Sequence, residues 1–85
     1  MKKIIITLTD IQKNQFFDVE VPVNKKFGKL KKDIVDTLNG YVNGLMIDPD
    51  SVAFLANRIG KQLEPGETME EAGIWNGDYI TIVEV

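Results

Sequence analysis

One stretch of the chain repeats its apolar residues at steps of three and four: Phe27, Leu30, Ile34, Leu38, Tyr41 and Leu45. That spacing lays a single apolar stripe along one side of an α-helix. Before and after it the apolar period falls to two, the spacing of strands buried on one face. One helical stripe among several half-buried strands predicts one helix packed on one sheet.

Lys3 to Thr9 reads as the first strand, because β-branched Ile4, Ile5, Ile6 and Thr7 suit a pleated surface. Period two puts Ile4, Ile6 and Leu8 on one face and Ile5 and Thr7 on the other. Polar residues from Asp10 to Gln15 make the turn. Phe16 to Val23 is the second strand, with Phe17, Val19 and Val21 inward and Asp18 and Glu20 outward. The two form an antiparallel hairpin ending near Pro22, whose missing N–H suits an edge or a strand end. The helix is expected from about Lys26 to about Asn39, with reach to Asn43 and Gly40 or Gly44 as its stop. Gly28 and Gly40 each weaken it by roughly 1 kcal/mol against alanine.

Ile47-Asp48-Pro49-Asp50 reads as a loop and Ser51 to Ala56 as a third strand. Asn57-Arg58 is a two-residue turn into a short fourth strand, Ile59 to Leu63. Next comes a Pro65-Gly66 turn, where Gly66 can take a positive φ. Thr68 caps a brief helical turn, with Glu71 three residues on as in a capping box. Asn76-Gly77-Asp78 turns the chain into a closing strand, Tyr79 to Val85, that alternates around Ile80, Ile82 and Val83.

Eighty-five residues allow one domain, residues 1–85, with one modest core. At 44% apolar and 27% charged residues the chain is an ordinary globule, not a disordered tail. A net charge of −3 supplies no bulk field for nucleic acid or for an acidic membrane. The absence of cysteine excludes disulfides, thiolate metal sites, thiol nucleophiles and cysteine-held iron–sulfur clusters. The absence of histidine leaves no ready acid–base group near neutral pH and no imidazole ligand. The apolar run after Lys2-Lys3 stops at Thr7, too short for a signal peptide. The expectation is a cytoplasmic protein that is not an enzyme, takes no cofactor or metal, binds no nucleic acid and does not insert into a membrane.

The run Gly60-Lys61-Gln62-Leu63-Glu64, followed by Gly66, Thr68, Met69, Ile74, Gly77-Asp78 and a terminal apolar strand, resembles the second half of ubiquitin. Ala72-Gly73-Ile74 with Asn76-Gly77-Asp78 resembles more closely the bacterial YukD/EsaB family, which is linked to type VII secretion. The resemblance implies an α+β, ubiquitin-like β-grasp of order β-β-α-β-β-β. It implies a non-catalytic protein-interaction module, in the narrower case a bacterial accessory protein of type VII secretion.

The alternative is a ubiquitin-like modifier or sulfur carrier whose C-terminal diglycine is absent from the sequence given. Ubiquitin and the sulfur carriers end in a diglycine whose carboxylate is activated, whereas this sequence stops at Val85, where such a tail would begin. Conjugation and sulfur transfer are therefore not expected.

Ubiquitin-like domains usually bind partners through the outer face of the sheet. Carried onto this chain, that face holds Thr81 and Val83 on the last strand, Ala53 and Leu55 on the third and Ile5 on the first. Ile5, Leu55 and Val83 would make an apolar patch; single exposed apolar residues are also normal on any protein.

A second candidate is the lysine-rich start of the helix: Lys25, Lys26, Lys29, Lys31 and Lys32. Lys25, Lys29 and Lys32 would form a basic face for an acidic partner, or else a solvated face whose stems cover the apolar stripe. Glu64, Glu67, Glu70 and Glu71 lack the alternating oxygen spacing of a hard-cation loop. Glu70 and Glu71 are better explained as carboxylates in the first turn of a helix. Ile74 resembles the buried isoleucine at this point of ubiquitin, which implies that Trp75, the single tryptophan, points outward, as an anchor for a partner or as a lid on the core edge.

Overall fold

Eight residues, Lys3–Asp10, form β1, and Phe16–Pro22 returns antiparallel as β2 in the computed structural model, which describes residues 2–10, 15–41 and 47–85. The tip of the expected Asp10–Gln15 turn, residues 11–14, lies outside the described residues. Ile4, Ile6 and Leu8 are buried while Ile5 is exposed, as the alternation requires. β2 is an edge strand, so Pro22 leaves no gap in the sheet.

Helix α1 runs Phe27–Tyr41 and buries Phe27, Leu30, Ile34 and Leu38. Val35 is buried as well, so the apolar stripe is one residue wider than the three-and-four spacing suggests. Gly40 does not end the helix; it lies inside it. The alternative stop at Gly44 and the packing of Tyr41 and Leu45 lie outside what is described.

The start of α1 has its own clamp. Its early N–H groups have no partner within the helix, and two of them donate outward, Phe27 to the Glu67 carbonyl at 2.8 Å and Gly28 to that of Pro65 at 3.1 Å. Gly28 eases this approach, since a Cβ there would stand 3.3 Å from the Pro65 Cβ, a tight contact. In the last turn, Asn39 bonds both the N–H and the carbonyl of Ile47, at 3.0 and 2.8 Å.

After a 3₁₀ turn, Pro49–Ser51, capped by Asp48, come β3 (Val52–Ala56) and β4 (Lys61–Gln62). The expected two-residue turn and five-residue strand need correction. Asn57 to Gly60 is a four-residue turn closed by Gly60 at φ 62°, and Ile59 belongs to that turn, 37% exposed. The longer turn uses up the residues that would have lengthened β4. Gly66 does not take a positive φ; Gly60, Gly73 and Gly77 do.

The last segment forms α2 (Met69–Ala72), with the full Thr68–Glu71 capping box and Gly73 as a left-handed cap, and then β5 (Tyr79–Glu84). β5 lies between β1, which it parallels, and β3, which it opposes, giving the order β2-β1-β5-β3-β4. Ile80 and Ile82 meet Phe54, Leu63 and the α1 stripe in one core, and the Phe27 and Phe54 rings pack edge to face at 5.2 Å. Burying a residue such as Leu30 contributes ~2 kcal/mol. The expected α+β grasp of one helix by a mixed sheet is the fold observed.

Candidate protein-binding face

The sheet face turned away from α1 is built by the alternate residues of each strand, and register decides which of them are neighbours. Thr7 lies opposite both Asp18 on β2 and Tyr79 on β5. One step on, Phe16, Thr9, Thr81, Leu55 and Gln62 cross the whole sheet in one row. Val83 stands opposite Ala53 a step further.

This register corrects the expected cluster of Ile5, Leu55 and Val83. Ile5 is level with Gly77, whose N–H donates to its carbonyl at 2.7 Å. Val83 is six residues further along that direction, roughly 20 Å at the rise of a strand. Ile5 and Val83 therefore mark opposite ends of the face. Tyr79, 54% exposed and diagonal by register to both Ile5 and Leu55, fills the space between. The same alternation that turns Thr81 and Val83 outward turns Tyr79 outward, so the signal for it was in the sequence.

Thr81 is also corrected as a contact residue. It is buried, and its hydroxyl donates to Asn57 Oδ1 at 2.9 Å, tying β5 to the β3–β4 turn. Ala53 faces outward but is covered. Leu55 and Val83 are half-buried, while Ile5 and Phe16 stand exposed. The face is an apolar band from Ile5 through Tyr79 to Leu55 and Val83, floored by buried threonine.

The turn that delivers Tyr79 explains the Asn76-Gly77-Asp78 wording. Asn76 Oδ1 accepts the Ile5 N–H at 2.8 Å, so a side chain stands in for a strand neighbour where β5 has not yet begun. Gly77 sits at φ 89°, which a Cβ would strain. Asp78 is buried and accepts three hydrogen bonds: Arg58 Nε at 2.9 Å, the Arg58 terminal nitrogen at 2.9 Å and the Trp75 N–H at 2.8 Å. The Arg58 bonds hold its carboxyl below the ordinary carboxylate value against the opposing effect of burial, with the Trp75 N–H adding to them. Asp78 raises the Arg58 pKa in return.

Arg58 also donates to the Gly73 carbonyl and lies 3.6 Å over the Trp75 ring. Trp75 points outward, as expected, and is 63% exposed, but one ring face is taken by Arg58. Sequence reasoning placed Arg58 in a turn and missed this role. The only sign of it was that Arg58 is the one arginine among ten basic residues.

The helix lysines do not form one basic face. Lys25 pairs with Asp33, Lys26 donates to the Gly66 carbonyl at 2.8 Å and Lys31 to that of Val52 at 3.0 Å. Lys29 and Lys32 share their helix side with Asp33 and Asp36, so opposite charges alternate there. This is the pattern of a solvated helix face.

The acidic run is likewise structural. Glu67 accepts from Lys61 at 2.7 Å and from the Glu64 N–H at 2.8 Å, and these bonds lower its pKa, Lys61 first. Glu71 accepts the Thr68 N–H at 2.9 Å, the largest cause of its lowered pKa. Among the described residues no group of acidic side chains converges to hold a metal ion, and no helix is long and apolar enough to cross a membrane.

No protein-family model matches the sequence, and no curated protein matches it. Solved structures do. The chain is similar to a structure described as Caldiarchaeum subterraneum ubiquitin, with a TM-score of 0.76, 18% identity, and coverage of 99% of this chain and 95% of that one. At that identity the likeness is one of fold. The chain has the ubiquitin-like β-grasp fold.

Proposed function

We propose that this protein is a non-catalytic, ubiquitin-like interaction module that binds another protein through the outer face of its sheet. The observation that carries the reading is the apolar band of Ile5, Tyr79, Leu55 and Val83, laid across a rigid sheet whose floor is buried. An aromatic side chain at the centre of an apolar band is the arrangement of a binding hot spot.

The narrower role, an accessory protein like those of the YukD/EsaB family in type VII secretion, rests on the wording Ala72-Gly73-Ile74 and Asn76-Gly77-Asp78.

The test is affinity capture from source cells with mass spectrometry, comparing the natural chain with Leu55→Ala and Val83→Asp. Both side chains point away from α1, so the variants should fold while the captured protein is depleted. Equal capture by natural and variant chains contradicts the reading. Recovery of a covalent adduct through the C-terminal carboxylate would support the modifier or carrier alternative instead.

A further inference from the structure

We infer that Asn76-Gly77 is a site of spontaneous deamidation that β1 holds shut, and that its isoaspartyl product unlatches the turn into β5 from β1. The chemistry belongs to the pair itself. The Gly77 main-chain nitrogen gives up its proton to base and attacks Cγ of the Asn76 side chain. The N–Cγ bond forms, the Cγ–Nδ2 bond breaks, and ammonia leaves with a proton taken from water. Water then opens the cyclic imide at either carbonyl. Opening at Cγ leaves aspartate, and opening at the main-chain carbonyl leaves isoaspartate, in which the chain runs through the former side chain. No electrons are exchanged, and water is the only co-reactant.

The fold gives this pair both access and a latch. Asn76 and Gly77 are exposed, and the place where a Cβ would stand on Gly77, at φ 89°, is open space. Base and water therefore reach the nitrogen unobstructed. Yet one residue of β1 holds both reacting groups. The Gly77 N–H donates to the Ile5 carbonyl at 2.7 Å, which retains the proton that attack must lose. Asn76 Oδ1 accepts the Ile5 N–H at 2.8 Å, which fixes the side chain. The Thr7 N–H adds a bond to the Asp78 carbonyl at 2.9 Å. Reaction waits for this junction to part, and local opening costs less than global unfolding.

Asn39-Gly40 supplies an internal contrast. It lies inside α1, and both ends of the Asn39 side-chain amide are bonded to Ile47. The Gly40 N–H belongs to the helix ladder, so attack there requires the helix to unwind. Asn43-Gly44 lies outside the described residues.

The two products treat the latch differently. Aspartate keeps an oxygen where the Ile5 N–H needs an acceptor. Isoaspartate lengthens the main chain by one carbon and leaves its free carboxylate on the α carbon, so the Gly77 N–H moves off the Ile5 carbonyl. Tyr79 begins β5 just after this turn, and its place beside Ile5 is lost with the latch. The inference stands whether or not the outer face binds a partner.

The test incubates the full chain in mildly alkaline buffer, folded and in urea, and follows each asparagine by peptide mapping with mass spectrometry and isoaspartyl-methyltransferase labelling. In the folded chain Asn76 should convert before Asn39, and about tenfold or more slowly than in urea. Arg58→Ala cuts the bonds to Asp78 and to the Gly73 carbonyl that brace the turn from its other side, and leaves the reacting pair untouched. It should speed conversion of folded Asn76 by about fivefold or more and leave the rate in urea unchanged. Hydrogen exchange of the Ile5 amide should stay slow in Asn76→Asp and quicken by about tenfold or more in the isoaspartyl form. The natural chain, folded against urea, decides the matter should Arg58→Ala fail to fold. Conversion of Asn76 as fast in the folded chain as in urea overturns the inference, as does its absence from the folded chain or earlier conversion of Asn39. An unchanged rate in folded Arg58→Ala, or an isoaspartyl form whose Ile5 amide exchanges as slowly as the natural one, also overturns it.

Discussion

Replacing Asp78 should damage the molecule in a way that identifies its cause. In the folded chain this buried carboxylate accepts two bonds from Arg58 and one from the Trp75 N–H. Hydrogen bonds to a charged group are worth about 1.5–3 kcal/mol each, but the three losses do not add. Arg58 can turn its charge to water, so the unrecovered cost is chiefly the Trp75 N–H and the loosened turn. Asp78→Ala should therefore lose ~2–3 kcal/mol. For a domain of this size that corresponds to a melting temperature lower by about 10–20 °C.

Asp78→Asn separates charge from shape and supplies the pH signature. A carboxylate whose folded pKa is depressed adds stability that is present above its unfolded pKa and lost as pH falls through the folded value. The stability gap between natural protein and Asp78→Asn should thus be constant from about pH 7 to about pH 5 and shrink below about pH 4. Urea unfolding followed by far-ultraviolet circular dichroism measures it. Trp75 fluorescence is unsuitable because the substitution alters its surroundings. A gap under about 0.5 kcal/mol at neutral pH, or one that persists unchanged at about pH 2, would refute the assignment.

Leu30→Ala, in the buried stripe of α1, should cost ~2–5 kcal/mol in the same urea assay; a change within error would mean the helix packs on another face. Gly77→Ala places a Cβ at φ 89° and should cost ~1–2 kcal/mol, with amide shifts at Ile5 and Thr7 reporting a disturbed β1–β5 junction. Thr68→Ala removes the acceptor for the Glu71 N–H and should cost ~1 kcal/mol by thermal melting.

Where side chains repeat with a backbone period, the sequence was legible. Ile4, Ile6 and Leu8 turn inward because a strand leaves them no other choice once one face is buried, and the α1 stripe follows from the turn of a helix. The capping box was legible for the same local reason, since Thr68 and Glu71 meet across three residues. What escaped depends on pairing across the chain. Nothing near Arg58 announces that it will meet Asp78, twenty positions on, and stack over Trp75. Likewise the separation of Ile5 from Val83 is set by the register of β1 on β5, which two correct strand assignments leave open. The basic helix face was read by counting lysine along the sequence, which leaves out that Asp33 and Asp36 fall on the same side in space.

The central claim, that the outer sheet face binds a protein, is tested most directly by placing a photo-crosslinking phenylalanine analogue at Tyr79 and, separately, at Lys32. Tyr79 lies at the middle of the apolar band and is exposed enough to accept the analogue without repacking the core, whereas Lys32 sits on the solvated side of α1. Irradiation of source cells followed by denaturing gels should give a discrete higher-mass adduct from the Tyr79 position and none from Lys32. A discrete adduct from Lys32 with none from Tyr79 would contradict the account and put the partner on the helix.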